Sequence, residues 1–413
     1  MALSSARLAL SFSCIGHAAM HVMTAIYFTI VIALQGSWHL DYDTLIRLWT
    51  VGALLVGLGA PIAGWLGDRW SESGMMVVFF AITGAGGVAA GLADGTTALW
   101  IGLAVLGLGA SIYHPVGLSW LVRTVPNPGR ALGFLGVFGG VGIASAALIA
   151  GGLIAIAGWR AAFLAPGVIC LGLAVALFYF RQTGRVADGD GLEVNPRKES
   201  RGDMYRAFIF LTITMAAGAT IFHSLLTAMP EMFEQRMSAL VGTSIFGVGA
   251  LVTLVYLGGA AAQIVGGMLV DRYSIKAIYL VGLLIQVPML AVMGQVFSAP
   301  LLVAAIAAAS VASFIIPAEN LMLARYTPAH RRGLAYGAKF ILAFGIAPVA
   351  VQLVGWSSIQ PSGFTLLLWI LTGLGALALL AAIFLPNDRK SQSQTIDRQP
   401  AGNSPPTAVA PAE

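Results

Sequence analysis

Charge is what this 413-residue chain has least of. Asp, Glu, Lys and Arg together make up 9% of it, against 58% hydrophobic residues, where soluble domains carry roughly a quarter charged. So few charges cannot cover a water-facing surface, which excludes a soluble globular domain and places the chain in a bilayer. Cysteine is nearly absent: Cys14 and Cys170 both lie in apolar stretches, so no disulfide framework is implied. No phosphate-binding loop, no nucleophile beside a base and no acid pair is present, which argues against an enzyme; no cofactor is expected. The formal charge of +5 matters less than where the basic residues fall, and no nucleic-acid partner is implied.

What the chain has in abundance is long apolar runs. Runs of about 20 residues span the roughly 30 Å hydrocarbon core as helices, and twelve can be read: 8–33, 44–67, 75–94, 97–122, 130–157, 160–180, 206–229, 240–267, 277–297, 300–324, 332–356 and 363–385. Gly and Pro inside them are tolerated better in a bilayer than in water. The first run is longer than the apolar part of a secretory signal and leads straight into another span, so it is expected to stay on the protein. With the N-terminus inside, all of the 22 Lys and Arg fall on the cytoplasmic side except Arg47, Arg160, Arg236 and the in-span Lys339. Positive residues stay on the inner side, so the expectation is an inner-membrane, multi-pass protein in contact with lipid, with both termini cytoplasmic.

The chain divides into an N-terminal half, 1–180, a Gly-containing charged linker, 181–205, and a C-terminal half, 206–386. Residues 387–413 read as a polar, Pro-rich disordered cytoplasmic tail. The halves are related. Gly64-Trp65-Leu66-Gly67-Asp68-Arg69 recurs as Gly267-Met268-Leu269-Val270-Asp271-Arg272, 203 residues later. At an offset of 202, Gly16, His21, Ala110-Ser111, Pro115, Arg123, Pro126, Arg130 and Phe138 recur as Gly218, His223, Ala312-Ser313, Pro317, Arg325, Pro328, Arg332 and Phe340. So many matches at a constant offset indicate a duplicated half, and a duplicated apolar chain is the pattern of a secondary transporter.

Two halves of six spans, a cytoplasmic central loop and Gly-x-x-x-Asp-Arg after spans two and eight resemble the major facilitator superfamily, from about residue 8 to 386. That resemblance implies an all-α membrane fold of twelve helices in two pseudo-symmetric six-helix halves, with spans one, four, seven and ten lining a central cavity. It implies gating by Gly64, Asp68 and Arg69 and by Gly267, Asp271 and Arg272; the Gly-Arg-Arg end of the family motif is replaced here by Trp70-Ser71-Glu72-Ser73. The physical logic is independent. A small residue lets helices approach, and the Asp accepts hydrogen bonds from a helix N-terminus or an Arg. Tyr113-His114-Pro115 resembles the aromatic-His-Pro element of fosmidomycin-resistance-type exporters. The Gly-Pro-x-x-Gly-Gly mark of drug:proton antiporters is degraded to Ala147-Leu148-Ile149-Ala150-Gly151-Gly152.

Ionisable groups inside a span cost several kcal/mol unless they face a cavity or a partner. The chain has His17 and His21 in span one, His114 in span four, His223 in span seven, Glu319 in span ten and Lys339 in span eleven. With Tyr113, these are the candidate substrate and proton residues. His17 and His21 share a helix face, and His21 and His223 are repeat-related. Each His either carries a coupling proton or packs as a neutral ring. Pro115 removes a backbone hydrogen bond and bends span four beside His114; Pro317 repeats the bend in span ten. Glu319 and Lys339 lie at equal depth, roughly 9–10 Å inside the cytoplasmic surface, as a pair that is either static or opens during transport. His17 and His21 have metal-like helical spacing, but no Cys, Asp or Glu nearby in the span completes a site, so no metal is expected. Gly133, Gly136 and Gly140 have close-packing spacing on span five.

The expected function is secondary active transport of a small organic, anionic or zwitterionic solute by alternating access, coupled to protons, leaning to export, by a monomer. An importer or uniporter of an organic anion is the alternative within that class. A transporter-like membrane sensor is the alternative outside it.

Overall fold

The computed structural model describes residues 5–125, 128–188, 201–270, 272–327, 339 and 341–387. Twelve of its helices are long and apolar enough to cross a membrane, and no strand occurs among the described residues. In the first half these are α1 (Ser5–Trp38), α2 (Tyr42–Arg69), α3 (Glu72–Gly91), α4 (Thr96–Thr124), α5 (Ala131–Ala157) and α6 (Trp159–Gln182). In the second they are α7 (Gly202–Arg236), α8 (Ile245–Val270), α9 (Ile275–Met293), α10 (Ser298–Leu323), α11 (Ile341–Ser358) and α12 (Gly363–Ile383). Each overlaps a run read from the sequence. Residues 332–338 and 340, expected to open the eleventh span, lie outside the described residues. So do Asp271, residues 189–200 of the linker and the tail from 388 onward.

The turns show why the chain stops where it does. Ser71 caps α3, its Oγ accepting from the Gly74 N–H at 2.9 Å, and Ser274 caps α9, accepting from the Ala277 N–H at 3.2 Å. The two serines are 203 residues apart, so the duplicated Asp-Arg turns keep the same N-cap. At the opposite end α5 turns into α6 through Gly158 alone, at φ +80°, a conformation glycine adopts without strain.

Helices in a bilayer pack by close approach of small residues. A Cβ on Gly102 would stand 2.5 Å from the Ala90 nitrogen, closing α4 on α3, and one on Gly84 would stand 2.7 Å from the Gly167 carbonyl, closing α3 on α6. The glycine face expected on α5 is only partly so used. Gly133 and Gly136 have open space where a Cβ would go, and Gly140 meets Ala260 at 3.0 Å. Close approach falls instead to Gly139 against His17, Gly142 against Ala18 and Gly151 against the Ile245 carbonyl.

Both proline bends take a definite form. In α4, Tyr113–Gly117 is a single π-helical turn, which accommodates Pro115 by widening the helix. In α10 the helix breaks at Ile315 and restarts at Ile316 with Pro317 in its first turn, where a missing N–H costs nothing.

Candidate functional site

A cavity of about 320 Å³ lies between the two halves. His21 and Thr24 reach it from α1, His114 from α4, Thr214 and His223 from α7, Tyr279 and Gln286 from α9, and Glu319 and Asn320 from α10. Lys339 lines it just before α11. The rest of the wall is apolar and aromatic, with Phe28, Trp49, Phe222 and Phe344 among it. A mostly apolar wall with a few convergent polar groups is the usual make-up of a small-molecule site.

Glu319 and Lys339 form an ion pair of 2.6 Å, each side chain 13% exposed. Lys339 Nζ also donates to Asn320 Oδ1 at 2.5 Å, and Tyr279 donates its hydroxyl to the other Glu319 oxygen at 3.2 Å. Both charges are therefore hydrogen-bonded as well as paired, the condition under which buried charges are tolerable.

The histidines of the first half form a cluster. His17 Nδ1–H donates to the Leu135 carbonyl at 2.7 Å, and His17 Nε2 faces His21 Nε2 at 3.2 Å. His17 stacks on Tyr113 with centroids 5.1 Å apart, and His114 stands edge-on to both His17 and His21. Two residues expected in the cavity therefore lie one layer behind it. Tyr113 is 1% exposed and donates to the Ser13 carbonyl at 2.7 Å, and His17 is sandwiched between that ring and Gly139. The expectation that nothing completes a metal set also needs correction. His17, His21 and His114 offer ring nitrogens all within 4.8 Å of one another; the third imidazole comes from α4, not from the span searched.

At the expected gate, Gly64 lets Pro115 approach, a Cβ there meeting the Pro115 Cβ at 3.2 Å. Asp68 pairs with Arg123 at 3.0 Å, and Arg123 reaches Glu72 at 3.4 Å, Glu72 also accepting a hydrogen bond from the Ser119 hydroxyl. Arg69 lies over the Trp65 ring, 4.9 Å from its centroid. In the second copy the symmetry weakens. Gly267 has open space around it, and Gly266 packs against the Phe314 carbonyl instead. Arg272 is exposed, and Asp271 lies outside the described residues.

Sequence reasoning missed Glu72 and Glu231, both buried. Glu231 accepts from Gln35 at 2.8 Å, across the halves, and from Gln235 at 2.9 Å. Beside it Tyr42 donates to the Thr227 carbonyl, Gln352 donates to Thr50 and Arg47 donates to Gln352. Thr253 donates to the Ala144 carbonyl at 2.6 Å. These bonds tie α1, α2 and α5 to α7, α8 and α11 toward the end away from the chain termini. Glu231 sits two residues past the expected end of its span, which is why a search of span interiors passed it by.

The family model of the Major Facilitator Superfamily matches residues 13–252 and 208–411. A curated relative, an uncharacterized MFS-type transporter of Mycobacterium tuberculosis, is 30% identical over 145 residues, covering 33% of this chain; the chain spans about a quarter, 25%, of that protein. Among solved structures, a POT family transporter in complex with a thioalcohol-conjugated peptide aligns with a TM-score of 0.76 at 12% identity, over 92% of this chain and 95% of that one. A bacterial homologue of the lysosomal transporter Spinster, inward-facing and occupied, aligns at 0.71 and 15%, over 93% and 95%. The xylose transporter XylE of E. coli, inward-open, aligns at 0.69 and 16%, over 94% and 98%.

Proposed function

The chain belongs to the major facilitator superfamily, so it is a secondary transporter working by alternating access and not an enzyme, and we propose that it carries a small organic anion together with a proton. The observation that carries this reading is the Glu319–Lys339 pair in the cavity wall. An anionic solute competes with Glu319 for Lys339, and the displaced carboxylate takes a proton. The empty site, with its pair closed, and the loaded site, with a lysine, an anion and a neutral acid, then carry the same net charge of zero. Both are the states a low-dielectric cavity admits while it changes sides. The apolar and aromatic remainder of the wall favours a solute with an apolar body, and His223 adds a polar ring from α7.

Solute and proton that bind together travel together, so this geometry favours symport. Antiport, the second reading, follows from the aromatic-His-Pro likeness to exporters and requires solute and proton to compete. The distribution of Lys and Arg supports placing both termini in the cytoplasm of an inner membrane. The hydrogen bonds at the far end then close the outer side and leave the cytoplasmic side as the route to the cavity.

The test is gradient-driven flux of organic anions in liposomes. Under symport, an anion accumulates on the side toward which protons run down; Glu319→Gln abolishes that accumulation and keeps anion-for-anion exchange. Accumulation against the direction of proton flow would establish antiport, and undiminished coupling in Glu319→Gln would remove Glu319 from the mechanism.

A further inference from the structure

The histidine cluster has more structure than a packing contact requires. His17 is fixed on three sides. Its Nδ1–H is held by the Leu135 carbonyl, its face lies on Tyr113, and Gly139 leaves room for its edge where any Cβ would collide with the ring. Tyr113 in turn fits because Gly16 and Gly117 carry no side chain, a Cβ on either meeting its ring at about 3 Å. With its proton committed at Nδ1, His17 presents the Nε2 lone pair to the interior of the cluster. An imidazole whose second nitrogen is held by a backbone carbonyl is the usual arrangement of a metal-ligating histidine, because the outer bond fixes both tautomer and ring orientation.

We propose that His17, His21 and His114 form a binding site for one divalent transition-metal ion, with the ion's fourth position open to the cavity. Zinc–nitrogen bonds of about 2.0–2.1 Å in a tetrahedral set place ligand nitrogens about 3.3 Å apart. His17 Nε2 and His21 Nε2 are 3.2 Å apart already. The three nitrogens lie within 4.8 Å of one another, so the most distant closes by no more than about 1.5 Å to reach that geometry. Binding needs His21 to carry its proton on Nδ1, a tautomer shift with no net proton release. Imidazole suits zinc, copper, cobalt and nickel, whereas magnesium and calcium require oxygen ligands, so the site selects the former group.

Access comes from the cavity. His21 and His114 line it, while His17 forms the back of the site. Three neutral rings leave the ion's charge uncompensated, which in a membrane cavity calls for an anionic fourth ligand. Water bound to zinc ionises near pH 7, so solvent supplies hydroxide there. The site does not depend on which solute is carried or in which direction.

The test uses the full-length protein without a histidine tag, purified in detergent and titrated with Co²⁺, then with Zn²⁺ in competition. The proposal expects one Co²⁺ per chain, with the intense visible absorption of tetrahedral cobalt, displaced by Zn²⁺. His17→Ala and His114→Ala should each weaken binding at least about 10-fold, the lower end of what losing even an outer-shell partner costs. His39→Asn, which removes an exposed histidine from a turn, should leave binding unchanged. His21→Cys offers a thiolate at the site, so it should still bind cobalt and add a thiolate-to-cobalt charge-transfer band in the near ultraviolet that the unsubstituted protein and a His21→Ala control, each with only the buried Cys14 and Cys170, do not show. A spectrum that stays that of hydrated six-coordinate cobalt would overturn the proposal. So would equal binding by a variant lacking all three histidines, or a His21→Cys protein without the new band.

Discussion

Removing either partner of the Glu319–Lys339 pair strands the other charge inside the membrane, and the size of that penalty follows from the geometry. Two unit charges centred roughly 3.3 Å apart attract by about 5 kcal/mol at an effective dielectric of about 20. Breaking a buried pair from one side costs about 3–5 kcal/mol in general. Here part of the loss is absorbed. Glu319 keeps the Tyr279 hydroxyl and Lys339 keeps Asn320, bonds worth about 1.5–3 kcal/mol each when one member is charged. The expected loss is therefore about 2–3 kcal/mol for Glu319→Gln and the same for Lys339→Met. The double variant should lose less than the sum by at least about 1 kcal/mol, since it leaves no lone charge behind. The assay is reversible unfolding in mixed SDS–detergent micelles, which yields a free energy for all four corners of the cycle. Losses that add within about 0.5 kcal/mol, the scatter of independent sites, would mean that the contact of 2.6 Å carries no stabilisation, and the neutral-load argument for symport would lose its basis.

Two further outcomes probe the ends of the molecule. Asp68→Asn should slow anion flux while changing folding stability by less than about 1 kcal/mol, because Asp68 and Arg123 are largely solvent-exposed and exposed pairs contribute little; unchanged turnover in liposomes would show that Asp68 has no part in gating. Gln352→Ala removes bonds to both Arg47 and Thr50 across the halves, and a loss of about 1.5–3 kcal/mol shifts the balance toward outer-side opening by roughly 10- to 100-fold. An impermeant maleimide added on the far side should then label the cavity position Thr24→Cys faster, the native Cys14 and Cys170 being buried, and an unchanged rate would rule out Gln352 as part of the closure.

Some of this was legible in the chain and some was not, for physical reasons. The spans were legible because about 20 apolar residues admit few readings, and the pair was legible because Glu319 and Lys339 can be placed by depth alone at 1.5 Å per residue. The histidine cluster was not. Which face α4 turns toward α1 depends on the π turn at Tyr113–Gly117, and one extra residue in a turn rotates everything that follows it. Periodicity says which residues share a face, not what that face meets, so Gly133 and Gly136 were read as packing positions when they have open space beside them. Glu72 and Glu231 were passed over because they sit at span ends, where boundaries read from hydropathy are uncertain by several residues.

The duplication explains why the two halves of the cavity can do different things within one frame. At the offset of 202, Tyr113 and Gly117 correspond to Ile315 and Glu319, and His17 and Gly139 correspond to Ala219 and Ile341. In the first half, glycine at 117 admits the Tyr113 ring and glycine at 139 admits His17. In the second half both of those glycine positions bear side chains and both ring positions have lost their rings, so no stacked cluster forms. The freed position on α10 carries the carboxylate that meets Lys339, whose own counterpart is Val137. Only His21 and His223 survive as a matched pair, and both line the cavity. The stacked histidine cluster and the Glu319–Lys339 pair thus stand in different halves, so under the proposed symport solute and proton meet at the second-half pair and the first-half cluster is left to a separate role. A single ancestral half, used twice without divergence, would have put the same chemistry on both walls.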